Sequence, residues 1–527
     1  MIKKYKSVTN DKKVNKTNKL TSKKASEVDN MTNNINEAKK SKIIDTVGTT
    51  DFPILTDANL SPFFKAVLGS PGELSPMQLG EIEDIPSSVM SYNETNDIDF
   101  SEFSNILLSP SSTFSLYLDE PGLRLLEYFE NKVAKILCIS PESSNYFLKT
   151  FVSVAMTEES IMHALAAWGG VFSEGPSSEL VNYHMSQATI LIHERHLANS
   201  KLDKHGYYVA VCYYLIAIGI EICSGDVSKW YKHFNACTEL LRSYGGLAKF
   251  LKDFNYSNNV KWLIASFQFH DIMSSVTLSS GTSCSMKNYN NLFKNYNLLD
   301  IGDYGIDPYQ GCIQPIYLIL GEIMNSYVEL KEERKKLKAS ILHLSLEHSS
   351  SSEIDGLMQQ RIEHYKIVST RYDELLNKVQ LARPNEKQIA LIMNNKEELD
   401  LHLTLFELYR LTCQMYLLLY IKQTQPSSSE VQMLLLTSFA YISTLVESPM
   451  TASLSMLLLI CGISCCNHSD RNYIRTKFTK IYDKYKAGNV RRVWDIVEES
   501  WRRNPDGNIC IDWVEICEQY GWKLPVS

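Results

Sequence analysis

Residues 207–222, YYVAVCYYLIAIGIEI, constrain the fold of this chain more than any other segment. They are apolar on nearly every face of a helix, so other protein must surround them. The segments around them supply that shell. Apolar spacing predicts helices over 119–137, 157–170, 179–198, 207–222, 227–243, 259–276 and 314–343. It predicts further helices over 353–381, 396–423, 429–447, 451–466, 470–485 and 488–502. Leu125, Phe129, Val133 and Ile136 form one inward stripe. Tyr183, Ala188, Ile190, Leu191 and Leu197 form the expected apolar set of 179–198. Few strand signals occur, and no fixed-period repeat defines a solenoid. The expected fold is all-α, one large multi-helix domain over 116–527 or two tightly packed halves.

Helix ends are marked locally. Gly169-Gly170 is read as the end of the second helix, Gly225 as a break, and Gly245-Gly246 as another end. Asp226 is placed to cap the helix that follows Gly225. Within that helix Trp230 and Phe234, with Ala236 and Leu240, are expected to pack inward. His233 is expected to hydrogen-bond a neighbouring helix.

The N-terminal part has a different texture. Residues 1–42 carry twelve lysines against four acids. With few large apolar residues, 1–47 cannot bury enough surface to offset chain entropy, so a disordered basic arm is expected. Residues 48–115 hold ten acids and one base, Lys65, mixed with Phe52, Phe63, Phe64, Phe100 and Phe103. That acidic and hydrophobic mixture fits an acidic low-complexity linker or an activation-like segment. Lys12-Lys13, Lys23-Lys24 and Lys39-Lys40 are candidates for nuclear import or phosphate contact. The formal net charge of −7 therefore sums a basic arm, an acidic tract and a nearly neutral body.

Enzyme motifs are absent. There is no phosphate-binding loop, no dinucleotide fingerprint and no nucleophile elbow. His193-Glu194-Arg195-His196 lacks the second histidine that a zinc-protease helix needs, because Leu197 stands there. His270 and Asp271 are neighbours and point apart on a helix, so they form no dyad; His270 is expected to be a hydrogen-bonded structural histidine. The twelve cysteines begin at Cys138, none in Cys-x-x-Cys spacing, and are expected as free thiols. No catalytic residue, metal ligand or cofactor is assigned. The run at 448–469 has an apolar centre of about 13 residues against the about 20 that a membrane helix needs, so no membrane partner is expected.

Four blocks carry a resemblance. They are 128–168, with SPESSNYFLKTFVSVAM and SIMHALAAW; 221–246, EICSGDVSKWYKHFNACTELLRSYGG; 266–277, SFQFHDIMSSVT; and 491–524, with Trp494, Trp501, Trp513 and Trp522. In order and residue type they resemble the fungal-specific transcription factor domain, the helical regulatory region of fungal zinc-cluster activators. The matching positions are Glu221, Gly225, Asp226, Trp230, His233, Gly245, Gly246, His270, Asp271, Trp494 and Trp513, all expected in scaffold roles. Within that family the chain is most similar to yeast activators of lysine biosynthesis and GABA catabolism. The resemblance implies a nuclear transcriptional regulator of amino-acid or nitrogen metabolism, whose partners are the transcription machinery or other regulators, with a homodimer possible in this family. It also implies a zinc-cluster module of six cysteines ahead of the body. No such module is recognisable here, so zinc is expected only if one lies upstream, and no module in this chain supports DNA contact. The alternative is a non-DNA-binding helical scaffold or co-regulator that acts through another transcription factor.

Overall fold

A computed structural model describes residues 117–197, 202–346 and 351–527. The basic arm with its six candidate lysines and the acidic segment 48–115 lie outside the described residues. The body is all-α as expected. Among the described residues no strand forms, and a single antiparallel bridge joins Asp307 to Gly311.

The helices of seven residues or more are α1 Glu120–Tyr128, α2 Glu159–Ser173, α3 Glu179–Ile192, α4 Lys204–Ser224, α5 Trp230–Tyr244, α6 Leu247–Asp253, α7 Asn258–Ser274 and α8 Gln314–Leu346. They continue as α9 Ser351–Leu381, α10 Glu386–Ile392, α11 Lys396–Tyr416, α12 Ser429–Val446, α13 Ser455–Ile463, α14 His468–Tyr485, α15 Gly488–Arg503 and α16 Trp513–Tyr520. Short polar side chains start several of them. Asp119 accepts from the Gly122 N–H at 2.9 Å, Asp203 from Gly206 at 2.7 Å, and Asn467 from Asp470 at 2.9 Å.

Helix α4 contains the all-apolar segment and is the core helix it was expected to be. Val209 to Ile218 are buried except Tyr214. Both α4 and α12 are long and apolar enough to cross a membrane. α4, however, is spent on the protein interior, and α12 buries only one face, with Val431, Leu435, Ile442 and Leu445.

Four local expectations are corrected. First, Gly169-Gly170 does not end α2, which runs on to Ser173. A Cβ on Gly169 would lie 1.9 Å from the Leu125 carbonyl oxygen, so this glycine lets α1 cross α2 at backbone contact. Second, α3 buries Val181, His184, Ala188 and Ile192, and leaves Tyr183 and Ile190 exposed. The second residue of that stripe is a histidine, His184, which apolar periodicity passes over. Third, the inward stripe of α5 is Trp230, Phe234, Cys237 and Leu241; Ala236 and Leu240 flank it. Fourth, 451–466 is not one helix. A 3-10 turn, Pro449–Ser453, precedes α13. There the Thr451 hydroxyl donates within 3.0 Å to the Val446 and Ser448 carbonyls, which offers the backbone an alternative to a helical turn.

Candidate functional site

The block 221–246 folds as two glycine-ended helices. At the end of α4, Gly225 takes φ +81°. Its N–H reaches the Ile222 carbonyl, and the Asp226 N–H reaches Glu221, each at 2.9 Å. This is the paired bond of a Schellman ending, which needs a left-handed residue. Gly245 and Gly246 repeat it at the end of α5, bonding Arg242 at 3.0 Å and Leu241 at 2.9 Å. Asp226 caps the intervening turn. Its Oδ1 accepts from the N–H groups of Ser228 at 2.8 Å, Trp230 at 3.1 Å and Lys229. Half-buried Glu221 has its carboxyl raised by burial and then by the Asp226 charge.

This block and the C-terminal block, far apart in sequence, form one junction. The start of α15 lies directly on the end of α4. A Cβ on Gly488 would stand 2.5 Å from the Ser224 carbonyl and the Gly225 nitrogen. Arg492 donates to the Gly225 carbonyl at 3.0 Å, and its guanidinium lies 4.9 Å from the Trp522 ring centroid. The last residues are bonded across the same place. Lys523 N–H donates to Val227 O at 3.0 Å, and its carbonyl accepts from the buried Trp230 indole. The Leu524 carbonyl accepts from Thr277 at 2.9 Å, and Asn489 donates to the Ser527 carbonyl at 2.5 Å.

Beside the junction lies a cavity of about 80 Å³. Its wall draws on α2 (Trp168), α4 (Gly219, Cys223), α7 (His270), the 3-10 turn (Ser453), α14 (Tyr485) and the start of α15 (Asn489). Trp168 reaches it because Gly219 has no side chain; a Cβ there would fall 2.4 Å from the indole. Burial pushes the Cys223 thiol up to about 12, so it is no nucleophile at neutral pH. His270 is 4% exposed, and neither ring nitrogen has a hydrogen-bond partner. This corrects the expected hydrogen-bonded histidine. Burial holds its pKa down to about 3, so the ring is neutral. Asp271 faces away, as its place on the helix requires. It accepts from the Ser283 N–H at 2.7 Å, the Cys284 N–H at 3.0 Å and the Tyr289 hydroxyl at 2.7 Å.

The family described as Fungal specific transcription factor domain matches residues 124–527 of the chain. The chain belongs to the fungal-specific transcription factor family. It is 28% identical over 428 residues to an uncharacterised transcriptional regulatory protein of Schizosaccharomyces pombe, covering 79% of this chain and 74% of that one. It is 25% identical over 447 residues to the transcriptional activator protein UGA3 of Saccharomyces cerevisiae, covering 77% and 78%. No solved structure matches the chain.

The remaining positions of the family pattern, His233, Trp494 and Trp513, lie on α5, α15 and α16. His233 makes no hydrogen bond to a neighbouring helix; its ring packs near Tyr213 and Tyr214 of α4, with centroids 6.4 and 6.3 Å away. Trp494 packs at a tilt on Phe478, with centroids 4.9 Å apart, and edge-on to Trp501 at 5.4 Å, with Arg475 beside both indoles. Trp513 is fully buried. His196 of the incomplete zinc-protease pattern meets Glu158 at 3.3 Å instead. Among the described residues no group of three or more His, Cys, Asp or Glu is arranged to hold a metal ion, and none of the twelve cysteines is in a disulfide. Sequence reasoning missed Gly219, Gly488, Asn489 and Arg492. The Gly488-Asn489 start of α15 was a visible signal, but nothing local names its partner across the chain.

Proposed function

We propose that this member of the fungal-specific transcription factor family is a non-enzymatic nuclear regulator of genes of amino-acid or nitrogen metabolism. Its helical body would pass the state of the α4–α15 junction to the transcription machinery. The observation that carries this is the junction itself, where the 221–246 block and the C-terminal block meet beside a cavity. Two arrangements of α15 against α4 would give an effector two states to choose between, and it shifts their populations only by binding one better. The acidic segment 48–115 is the contact proposed for the machinery, and the paired lysines of 1–42 are the proposed nuclear address. The apolar residues Ile354, Met358, Ile362 and Tyr365, exposed along one face of α9, are the face proposed for a second copy.

Trp230, Trp494 and Trp513 of the family pattern are buried in the helical packing, which equally suits a helical co-regulator acting through another factor. One experiment separates the readings. The chain, fused to a heterologous DNA-binding domain, is tested on a reporter in yeast on different nitrogen sources. A regulator with its own activity changes reporter output with nitrogen source, and loses it when 48–115 is deleted. A fusion inert on every source overturns the proposal, and activity that depends on one genomic partner supports the co-regulator.

A further inference from the structure

We propose that the cavity beside His270 binds a small uncharged molecule with an apolar body and a hydrogen-bonding polar group, on the scale of a five-membered cyclic amide. This rests on the regulatory reading of the junction and names the chemistry of what enters it.

Nearly all buried polar side-chain atoms in proteins have a hydrogen-bond partner. Here both nitrogens of the His270 ring lack one, at 4% exposure, on the wall of a cavity. Phe269 and Tyr309 stand edge-on to the ring, with centroids at 5.4 and 5.6 Å, and supply no hydrogen-bonding atom to it. A neutral imidazole offers one donor and one acceptor that point away from each other, so an amide meets one ring nitrogen, with its carbonyl or with its N–H. Three further polar atoms of wall residues, Trp168 Nε1, Asn489 Oδ1 and Ser527 Oγ, also lack partners.

The wall then fixes charge and size. No Asp, Glu, Lys or Arg side chain lines it, so no side chain there would pair the charge of an ion in the apolar surround, and an uncharged ligand is favoured. Trp168, Phe172, Ile222 and Ile481 make the remainder apolar. At about 10–15 Å³ for each water-sized centre, a cavity of this volume takes about five to eight non-hydrogen atoms. The larger groove near 290–297 and 377–385 suits such a molecule less, because its Lys378 and Glu322 are already bonded to each other at 2.6 Å.

The test uses the purified full chain with 2-pyrrolidinone as probe and pyrrolidine, a cation at neutral pH, as the charged control of equal size. Isotope-labelled histidine reports binding at His270 directly by NMR. Saturable shifts of one buried histidine with the amide, and none with the cation, are expected. His270→Leu should weaken binding about tenfold, the value of one hydrogen bond, whereas His270→Gln keeps most of it. Ala487→Leu, at the rim, should block the probe with His270 intact, and serves if the His270 variants fail to fold. No saturable shift, equal binding of the cation, or full affinity in both His270→Leu and Ala487→Leu overturns the proposal and leaves water as the occupant. Binding is read on the isolated chain, so its failure is separate from an inert reporter, which bears only on the regulatory reading.

Discussion

Replacing Gly488 by alanine tests whether the α4–α15 junction is held at backbone contact. Gly488 has no positive φ, so alanine meets no intrinsic backbone strain there. Its Cβ would stand 2.5 Å from the Ser224 carbonyl carbon and oxygen and from the Gly225 nitrogen. Carbon contacts normally begin near about 3.5 Å, so the two helix ends must part by about 1 Å. None of these atoms belongs to a side chain that could rotate away, and the N–H groups of Gly225 and Asp226 are already fixed by bonds of 2.9 Å to Ile222 and Glu221. Overpacking of this kind costs about 1–3 kcal/mol. Loss of the 3.0 Å Arg492–Gly225 bond adds about 0.5–1.5 kcal/mol. The better helix propensity of alanine returns at most about 1 kcal/mol. Gly488→Ala should therefore destabilise by about 0.5–4.5 kcal/mol, read as a lower urea midpoint by far-UV circular dichroism. Gly356→Ala is the matched control. It lies within α9 with nothing inside 4 Å of the added Cβ, and should stabilise by about 0.5–1 kcal/mol. A Gly488→Ala chain as stable as the wild type would refute the junction as described.

Three further outcomes are expected. Asp226→Ala, which removes the acceptor for three N–H groups, should lower stability by about 1–2 kcal/mol, with Asp226→Asn closer to wild type; an unchanged urea midpoint would remove Asp226 from the capping role. His402 is fully buried without a hydrogen-bond partner, and burial holds its pKa at about 4. Its stabilising contribution is thus complete above the unfolded pKa of about 6.5 and is lost as pH falls toward 4. His402→Leu should gain about 2 kcal/mol on wild type between pH 7 and pH 5, and parallel curves would contradict a neutral buried ring. Fusing 48–115 alone to a heterologous DNA-binding domain should raise reporter output; an inert fusion would leave that segment a linker.

Periodicity located the helices whose partners matter least to their own formation. The buried α4 was legible because no face of 207–222 could meet water. The Gly225–Asp226 and Gly245–Gly246 endings were legible because a left-handed residue and a short carboxylate are local requirements. The helices that escaped notice, α6, α10 and α16, are seven or eight residues long, too short to show three repeats of an apolar face. The α3 face was misread for another reason. His184 is buried against His163, with their Nδ1 atoms 2.8 Å apart, and a hydrogen bond is invisible to a hydrophobic count.

The glycines show where local reading stops. Gly225 and Gly169-Gly170 look alike in sequence, each a glycine after an apolar run. One ends a helix and the other lies inside one. What separates them is the atom waiting beyond the missing Cβ: the Leu125 carbonyl for Gly169, the Trp168 indole for Gly219, and the backbone of residue 488 for Gly225. The first contact spans about forty residues and the last more than two hundred and fifty, so no window of sequence contains both partners. The cavity beside His270 has the same origin. Each of its walls is an ordinary helix with an ordinary apolar face, and the site exists only because glycines let Trp168 lie on α4 and α15 close on the end of α4. A substitution at such a glycine should therefore alter the cavity before it alters any helix. Gly219→Ala should displace Trp168 and change probe binding at His270, while the helical circular dichroism signal stays as it was. A lost helical signal with the cavity intact would reverse that order.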